Sequence, residues 1–264
     1  MTKYLLVDDS RAFLLVDAQT SPLPSAPTTG PAIQLSQDIV ATRIHGTSIS
    51  ELSELRELAQ HAELSGDART HADDPLIARA ITLLNAQERM RVHPTDGTPL
   101  TWNAEGTQAQ SEAGNVVFPR IDPSVIGIVT SADDQKILMV ENARRPGYFT
   151  SVAGYVDPGE TIEAAWVREV REETGYTLNQ VAYVGSQPWP LSGALMLGFV
   201  SRVDETATPG DTDGELRRMM WASRQELNDL PLPPQGSISR KLITRWVDTG
   251  FDDVVFRDVG GSDF

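Results

Sequence analysis

The chain has 264 residues, which is enough for two modest domains that each bury a core. Its 22 Lys and Arg residues against 37 Asp and Glu residues give a net charge of −15, which excludes broad coating of DNA or another nucleic acid, although a bound cation can reverse the sign at one site. The absence of cysteine excludes disulfides and thiolate metal sites, and no apolar run resembles a signal peptide or a membrane span, so we expect a cytoplasmic protein without membrane association.

Residues 1–90 predict a small α+β domain without recognisable chemistry. Its second helix is expected to begin at Asp74-Pro75, an N-cap residue followed by a first-turn proline. We expect this domain to provide packing, substrate-side support or a dimer contact. Its predicted elements are strands over 4–7 and 12–16, a Pro/Ser/Thr-rich linker over 21–31, and helices over 49–62 and from 75 onward.

Residues 91–120 are polar and rich in turns, and we treat them as a separate module. Residues 121–250 alternate strand and helix patterns, which predicts a mixed sheet between helices. The tail over 251–264 is uninformative. The predicted elements of the third segment are strands over 125–130, 136–141, 150–153, 181–184, 195–203 and 217–221, and helices over 226–230 and 237–247, besides the stretch described next.

Residues 154–176, GYVDPGETIEAAWVREVREETGY, place a glycine-led loop before one short helix that ends at Gly175. Glu169, Glu172 and Glu173 fall within a single helical turn, so their carboxylates converge on one side. Like charges at this spacing repel, and partly desolvated carboxylates acquire raised pKa values unless a cation neutralises them. Because carboxylate oxygens are hard ligands that suit Mg²⁺ or Mn²⁺, the sequence predicts a divalent metal site here.

The spacing of this stretch resembles the Nudix box, the motif of a family that hydrolyses nucleoside diphosphates linked to another moiety. The matching residues are Gly154, Glu160, Arg168, Glu169, Val170, Glu172, Glu173 and Gly175. Tyr176 departs from the aliphatic residue that usually follows, which affects packing more than chemistry. The resemblance implies an α/β fold, the Nudix α/β/α sandwich with a mixed sheet, preceded here by the smaller α+β domain and a zinc-less, ribbon-like module.

The resemblance also implies roles for the residues of the box. Glu169 and Glu173 would bind the metal ions, and Glu172 would either be a further ligand or accept the proton of the attacking water. We expect Glu160 and Arg168 to form an internal pair that fixes the loop on the helix, with the two box glycines as structural residues.

A second motif, SQPWP over residues 186–190, follows the box on what reads as a loop leaving a strand. Trp189 offers a flat surface for a purine or nicotinamide ring, Gln187 can hydrogen-bond a base edge or an amide, and Pro188 and Pro190 stiffen the turn. Together with the box, this motif resembles the NADH pyrophosphatase branch of the Nudix hydrolases. The branch continues with Phe-Pro-x-Ser, whereas residues 191–194 read Leu-Ser-Gly-Ala, a departure that bears on substrate preference.

Four further residues of this sequence match single positions that are characteristic of the family. Phe118, which precedes a proline, is a candidate ring partner for the substrate, and Ser239 matches a substrate-contacting backbone position. The Ala153 carbonyl and the Glu215 side chain match additional metal ligands. Solvation in an acidic loop is the alternative role for Glu215.

Many relatives hold the middle module together with four cysteines around zinc. Those places are occupied by His93, Asp96, Gln110 and Ala113. Ala113 cannot ligate a metal and Gln110 is a poor zinc ligand, so we predict no structural zinc. We expect the module to be held by packing of Trp102, Val116, Val117 and Phe118.

The resemblance therefore implies a metal-dependent homodimeric hydrolase that cleaves the pyrophosphate of NADH or NAD⁺ to nicotinamide mononucleotide and AMP. Removal of an NAD cap from RNA is a related activity that cleaves the same bond. A broader ADP-ribose or nucleoside-diphosphate pyrophosphatase is the alternative within enzymes. A non-catalytic nucleotide-sensing regulator is the alternative of another class, and the complete glutamate set speaks against it.

Overall fold

The computed structural model describes most of the chain. None of the helices within that part is long and apolar enough to cross a membrane. Most of the predicted linker and the middle of the helix predicted over 49–62 lie outside the described residues, whereas residues 58–61 are helical. The described residues are 2–17, 31–46, 48–51 and 58–259.

The described residues form two compact units. Unit 1 comprises the residues up to Ile121 together with Trp189–Gly193, and unit 2 comprises Asp122–Pro188 and the residues from Ala194 onward. The five-residue segment in unit 1 is therefore surrounded in sequence by residues of unit 2.

Unit 1 is built around a five-stranded mixed sheet with the strand order β3-β4-β1-β2-β5. β1 pairs with β2 as an antiparallel hairpin and with β4 in parallel. Helix α1 (Pro75–Arg89) covers one face, where its Ile77 and Ile81 pack with Leu5 and Phe13 in a single core. The strands are β1 (Lys3–Asp8), β2 (Ala12–Asp17), β3 (Ala32–Gln34), β4 (Ile39–Ile44) and β5 (Leu64–Asp67).

Helix α1 begins where the sequence predicts. The Asp74 carboxylate accepts hydrogen bonds from the N–H groups of Leu76 (2.8 Å) and Ile77 (3.3 Å), which otherwise lack partners inside the helix. Pro75 needs no such partner because it has no N–H. The predicted start of this helix and the two predicted strands at the beginning of the chain are confirmed.

Residues 91–120 contain a three-stranded antiparallel sheet, and hydrogen bonds to the Asp96 carboxylate connect its turns. The sheet consists of β6 (Leu100–Trp102), β7 (Ala109–Ser111) and β8 (Val116–Val117). One Asp96 oxygen accepts hydrogen bonds from the N–H (2.9 Å) and hydroxyl (2.7 Å) of Thr98. The other accepts from Ser111 Oγ (2.8 Å) and Asn115 Nδ2 (2.7 Å). A single carboxylate thereby joins two turns that are far apart in sequence.

These contacts correct the expectation that apolar packing holds this region together. Val116 and Phe118 are 42% and 63% exposed, so they bury too little surface to hold it. The apolar side chains are too few for a core, and hydrogen bonds to one ionised carboxylate take that role.

Unit 2 contains a seven-stranded mixed sheet with the order β14-β10-β9-β13-β12-β15, and β11 pairs with β9. β9 and β13 are parallel over ten residues, whereas β9 is antiparallel to β10 and β11. Its elements are β9 (Asp122–Ser131), β10 (Lys136–Asn142), β11 (Val152–Tyr155), α2 (Ile162–Thr174), β12 (Gln180–Trp189), β13 (Ala194–Val203), β14 (Leu216–Ser223), α3 (Ile238–Asp248) and β15 (Arg257–Asp258).

The central strands of this sheet are buried on both faces. In β10, Leu138 belongs to the core that contains Trp166 of α2, and its neighbour Met139 belongs to the core that contains Trp246 of α3. Successive side chains of a strand point to opposite faces, so one apolar run supplies both cores. This arrangement is the α/β/α sandwich with a mixed sheet, and that prediction is confirmed.

Two sequence expectations differ from the structure. The helix predicted over 226–230 is one turn of 3-10 helix, Glu226–Asp229, because Pro231 and the prolines after it cannot extend a helix. The SQPWP segment is not a loop: its first four residues end β12, and only Pro190 lies beyond the strand. The neighbouring ten-residue β13 lets β12 continue past the predicted boundary at residue 184.

We predict that Asp96→Ala lowers the urea midpoint of the protein, measured by tryptophan fluorescence, whereas Glu112→Ala at an exposed position of the same region does not. Hydrogen bonds from Asn115, Thr98 and Ser111 hold the pKa of Asp96 below its ordinary value. The stabilisation is therefore present at neutral pH and is lost as the pH falls below the ordinary range of an aspartate. An unchanged midpoint in Asp96→Ala would contradict this role.

Candidate active site

Helix α2 carries the clustered glutamates, and both of its ends are defined by local contacts. At its N-terminus, Thr161 Oγ1 accepts a hydrogen bond from the N–H of Ala164 (3.1 Å). At its C-terminus, Gly175 has a φ of 75° in the left-handed region. A Cβ on Gly175 would also overlap the backbone of Gly210, so glycine is required there for two reasons.

Arg168 links the glycine-led loop to the helix. Its Nε and Nη2 donate to the two oxygens of Glu160 at 2.8 and 3.0 Å, and Nη2 also donates to the Tyr155 carbonyl (2.9 Å). Its Nη1 donates to Glu169 Oε1 (2.8 Å) and Glu172 Oε2 (3.0 Å). These partners, Glu160 first, raise the pKa of Arg168 above its ordinary value. The structure thus brings together the predicted pair and ties two of the clustered glutamates to it.

The Glu169 carboxylate lies directly against Gly154 of β11. A Cβ at residue 154 would overlap the Glu169 carboxyl carbon and oxygens. Ser124 Oγ donates to the Gly154 carbonyl (2.7 Å), which holds this strand in place from the other side. The glycine of the box is therefore needed because a charged group occupies the space that a side chain would take.

Glu173 is the buried member of the cluster. It is 5% exposed, and no hydrogen bond or ion pair reaches its carboxylate from the described residues. Burial, followed by the charges of Glu169, Asp213 and Glu215, raises the pKa of Glu173 to about 8. Burial is also the largest cause of the raised pKa of Glu169, which Arg168 partly offsets.

The loop before β14 brings a further carboxylate towards the cluster. The N–H of Asp213 donates to the carbonyl of Glu172 (2.8 Å), which anchors the loop on α2. Glu215 follows, half-buried, with Arg144 Nη2 3.5 Å from its Oε1. Sequence reasoning identified Glu215 but missed Asp213, although Asp213 precedes it by two residues in the same acidic loop.

The carboxylate oxygens of the cluster are donors of the type that a divalent cation prefers. Among the described residues, no three carboxylate or imidazole groups are arranged as the ligands of one ion, because Glu169 and Glu172 face Arg168. However, Glu173 is buried beside like charges with no donor from the residues that the structure describes, a state that a hard cation would relieve. The residues that could hold such an ion are Glu169, Glu172, Glu173, Glu215 and the carbonyl of Ala153, which lies in β11 next to Gly154.

The predicted substrate residues are distributed over both units. In unit 1, Phe118 is largely exposed, while the half-buried Trp189 packs against the core and Pro190 is buried. In unit 2, Pro188 is exposed and Gln187 is buried, with Gln187 Nε2 donating to the Gly236 carbonyl (2.7 Å) and Oε1 lacking a partner among the described residues.

Ser239, the remaining predicted substrate residue, is also buried in unit 2. Its hydroxyl is within hydrogen-bonding distance of Ser151 Oγ (2.8 Å) and Thr150 Oγ1 (3.2 Å). Ser239 lies in the first turn of α3, so these hydroxyls connect that helix to the residues before β11.

Tyr176, the one departure within the box, takes a packing position. Its ring is buried and meets Trp221 edge to face, with centroids 5.7 Å apart. Trp221 Nε1 donates to the Tyr176 hydroxyl (3.1 Å), so the added oxygen has a partner.

Comparison with known proteins gives matches of two kinds. The family model described as NUDIX domain matches residues 121–247. The NAD-capped RNA hydrolase NudC of Mycobacterium bovis (strain BCG / Pasteur 1173P2) is 34% identical over 205 residues, covering 71% of this chain and 66% of that protein. The NAD-capped RNA hydrolase NUDT12 of Homo sapiens is 37% identical over 143 residues, covering 50% of this chain and 31% of that protein. The chain thus spans just under two thirds of the first relative and about a third of the second.

Among solved structures, a NUDIX hydrolase from Nitrosomonas europaea superposes with a TM-score of 0.45 at 18% sequence identity, covering 60% of this chain and 90% of that chain.

We predict that Glu173→Gln removes part of the dependence of folding stability on pH in metal-free buffer. The folded-state pKa of Glu173 is about 8, above its unfolded value, so between roughly pH 5 and 8 the folded wild type retains a proton that the unfolded chain has lost. Wild-type stability should fall by up to about 1.4 kcal/mol per pH unit in this range relative to Glu173→Gln. Urea unfolding at several pH values measures the difference, and parallel curves would contradict the prediction.

Proposed function

The chain belongs to the Nudix family, and from this premise we propose that it is a metal-dependent hydrolase of the pyrophosphate in NADH and NAD⁺. The products would be nicotinamide mononucleotide, reduced or oxidised, and AMP. The observation that carries the proposal is Glu173, a buried carboxylate with no hydrogen-bond donor from the described part of the chain, whose pKa is raised to about 8 beside Glu169. Such a group is costly to the fold and is explained by a site that works with a cation.

Each residue of the site has a defined task in this proposal. Glu169, Glu173 and Glu215, with the Ala153 carbonyl, hold Mg²⁺ or Mn²⁺, which when bound neutralises phosphate charge and lowers the pKa of water. Glu172 completes the ligand set or accepts the proton of the attacking water. Arg168 keeps the glutamate-bearing turn and the glycine-led loop in one geometry.

Substrate selection is assigned to residues outside the box. Trp189 presents a half-buried ring that can stack on a purine or nicotinamide, and the exposed ring of Phe118 is a second candidate for stacking. The match to SQPWP and the similarity to NAD-capped RNA hydrolases both support a substrate that contains NAD.

Removal of an NAD cap from RNA is the second candidate, and a local charge pattern favours it. The net charge of −15 argues against RNA binding over the whole surface, yet one pair of exposed arginines follows Glu215 in sequence and another follows the end of β10, the strand that pairs with β14. The N–H of Ala143 donates to the Glu215 carbonyl (2.9 Å), which places both arginine pairs at one end of β10 and β14. Guanidinium groups there could contact phosphates that follow the cap. These arginines are Arg144, Arg145, Arg217 and Arg218.

The proposal predicts AMP release when purified protein is incubated with Mg²⁺ or Mn²⁺ and NADH, NAD⁺ or ADP-ribose in separate reactions followed by chromatography. Clear preference for NADH is expected, and Glu173→Gln should lose turnover by about 100-fold or more while remaining folded. Comparable cleavage of ADP-ribose would broaden the substrate class. Absence of AMP from every substrate, or near-normal kcat in Glu173→Gln, would overturn the proposal.

Trp189→Ala should raise KM for NADH by about 5- to 10-fold, because loss of ring stacking removes about 1 kcal/mol of binding. KM for a short nucleoside diphosphate ester, which lacks a second ring, should change less. Trp189→Phe keeps a flat ring and should remain close to wild type. Equal effects of Trp189→Ala on both substrates would argue against stacking.

A further inference from the structure

The segment Trp189–Gly193, which belongs to unit 1, forms a turn. Leu191 is buried in the core of that unit, and Trp189 packs against the same core. The N–H groups of Ser192 and Gly193 donate to the Trp189 carbonyl at 3.3 and 3.1 Å, and Gly193 has a φ of 90°. Three of the four residues that depart from the NADH pyrophosphatase pattern, Leu191, Ser192 and Gly193, thus close a tight turn, and Leu191 packs in the core of unit 1.

Asn85 of α1 forms a side-chain hydrogen bond to this turn. Its Nδ2 donates to the Pro190 carbonyl (3.0 Å), a contact between residues 105 positions apart. Its Oδ1 accepts a hydrogen bond from Arg43 Nη2 (2.6 Å). Because a guanidinium can only donate, Arg43 determines that the oxygen of the amide faces it and that the nitrogen faces Pro190.

Arg43 is itself buried and forms hydrogen bonds through all three of its guanidinium nitrogens. It is 3% exposed, its Nε donates to Glu88 Oε1 (2.9 Å) and its Nη1 donates to the Asp8 carbonyl (3.2 Å). Arg43 lies in β4, Asp8 in β1 and Glu88 in α1, so three elements of unit 1 define the orientation of the Asn85 amide. A network in which each guanidinium nitrogen has a partner keeps one geometry.

We propose that Asn85 is a positioning residue for substrate selection: it sets the place of Pro190 and, through the peptide bond, of Trp189. This inference rests on the proposed function, in which the Trp189 ring binds part of the dinucleotide. It gives the N-terminal 90 residues a role that their lack of recognisable chemistry did not reveal, because the elements that hold Asn85 all belong to them.

Asn85→Asp separates the two contacts of this side chain. One carboxylate oxygen still accepts from Arg43, now as an ion pair, while the second oxygen faces the Pro190 carbonyl with no proton to donate. The Arg43 contact is kept, so the protein should remain folded, with a melting temperature lowered by a few degrees for the lost hydrogen bond. KM for NADH should rise by about 3-fold, less than the effect of removing the Trp189 ring, with kcat within about twofold. KM for a short nucleoside diphosphate ester should be unchanged.

Asn103→Asp is the matched control in the same unit. Asn103 Oδ1 accepts from the N–H of Thr107 (2.9 Å), and its Nδ2 donates to Thr107 Oγ1 (3.1 Å). The substitution again keeps the acceptor and removes the donor, at a turn that does not contact Trp189–Gly193 through these bonds. Both KM values should equal those of the wild type.

Hydrogen–deuterium exchange of the peptide that covers Trp189–Gly193 provides a readout independent of turnover. Exchange should be faster in Asn85→Asp and unchanged in Asn103→Asp. An unchanged ratio of the two KM values, or unchanged exchange, in Asn85→Asp overturns the inference. If the wild type hydrolyses neither substrate, the proposed function fails, and the exchange result alone decides whether Asn85 holds the turn.

Discussion

The guanidinium of Arg168 holds together carboxylates that would otherwise repel one another. Its five-donor fork contacts Glu160 with two nitrogens and reaches Glu169 and Glu172 with a third. Because Glu160 lies in the loop and the other two lie in the helix, one side chain defines the geometry of the whole box. A lysine at this position could not make the same set of contacts, since its single nitrogen cannot bind an acid bidentately and also reach a second one.

Two carboxylates in this protein show opposite pKa shifts for opposite physical reasons. Asp96 is surrounded by hydrogen-bond donors, which favour the ionised form and lower its pKa. Glu173 is buried next to Glu169 without a donor from the described residues, which favours the neutral form and raises its pKa to about 8. The first arrangement stabilises a small sheet, whereas the second destabilises the folded state, which is common for acids at functional sites. The contrast separates an acid that stabilises the fold from one whose burial costs stability, without reference to the motif.

Within unit 1, hydrogen bonds and packing hold the turn that follows Trp189. The buried Arg43 orients the Asn85 amide, and that amide reaches this turn. In the same unit, the Asp96 carboxylate joins two turns of the 91–120 region. In both places, a charged side chain with a complete set of partners links segments that are distant in the sequence.

The sequence by itself determined the parts of the protein that depend on short-range spacing. The start of α1 at Asp74, the end of α2 at Gly175 and the convergence of Glu169, Glu172 and Glu173 follow from helical periodicity and capping, which involve residues within about four positions. The mixed sheet followed from alternating strand and helix patterns. Only the tertiary structure decided the partners that lie far apart along the chain: Asp96 with Asn115, Gln187 with Gly236 and Asn85 with Pro190. It also showed that the first four residues of SQPWP end a strand and that Glu173 is the buried acid of the glutamate cluster, because burial and long-range hydrogen bonds depend on how the elements pack together.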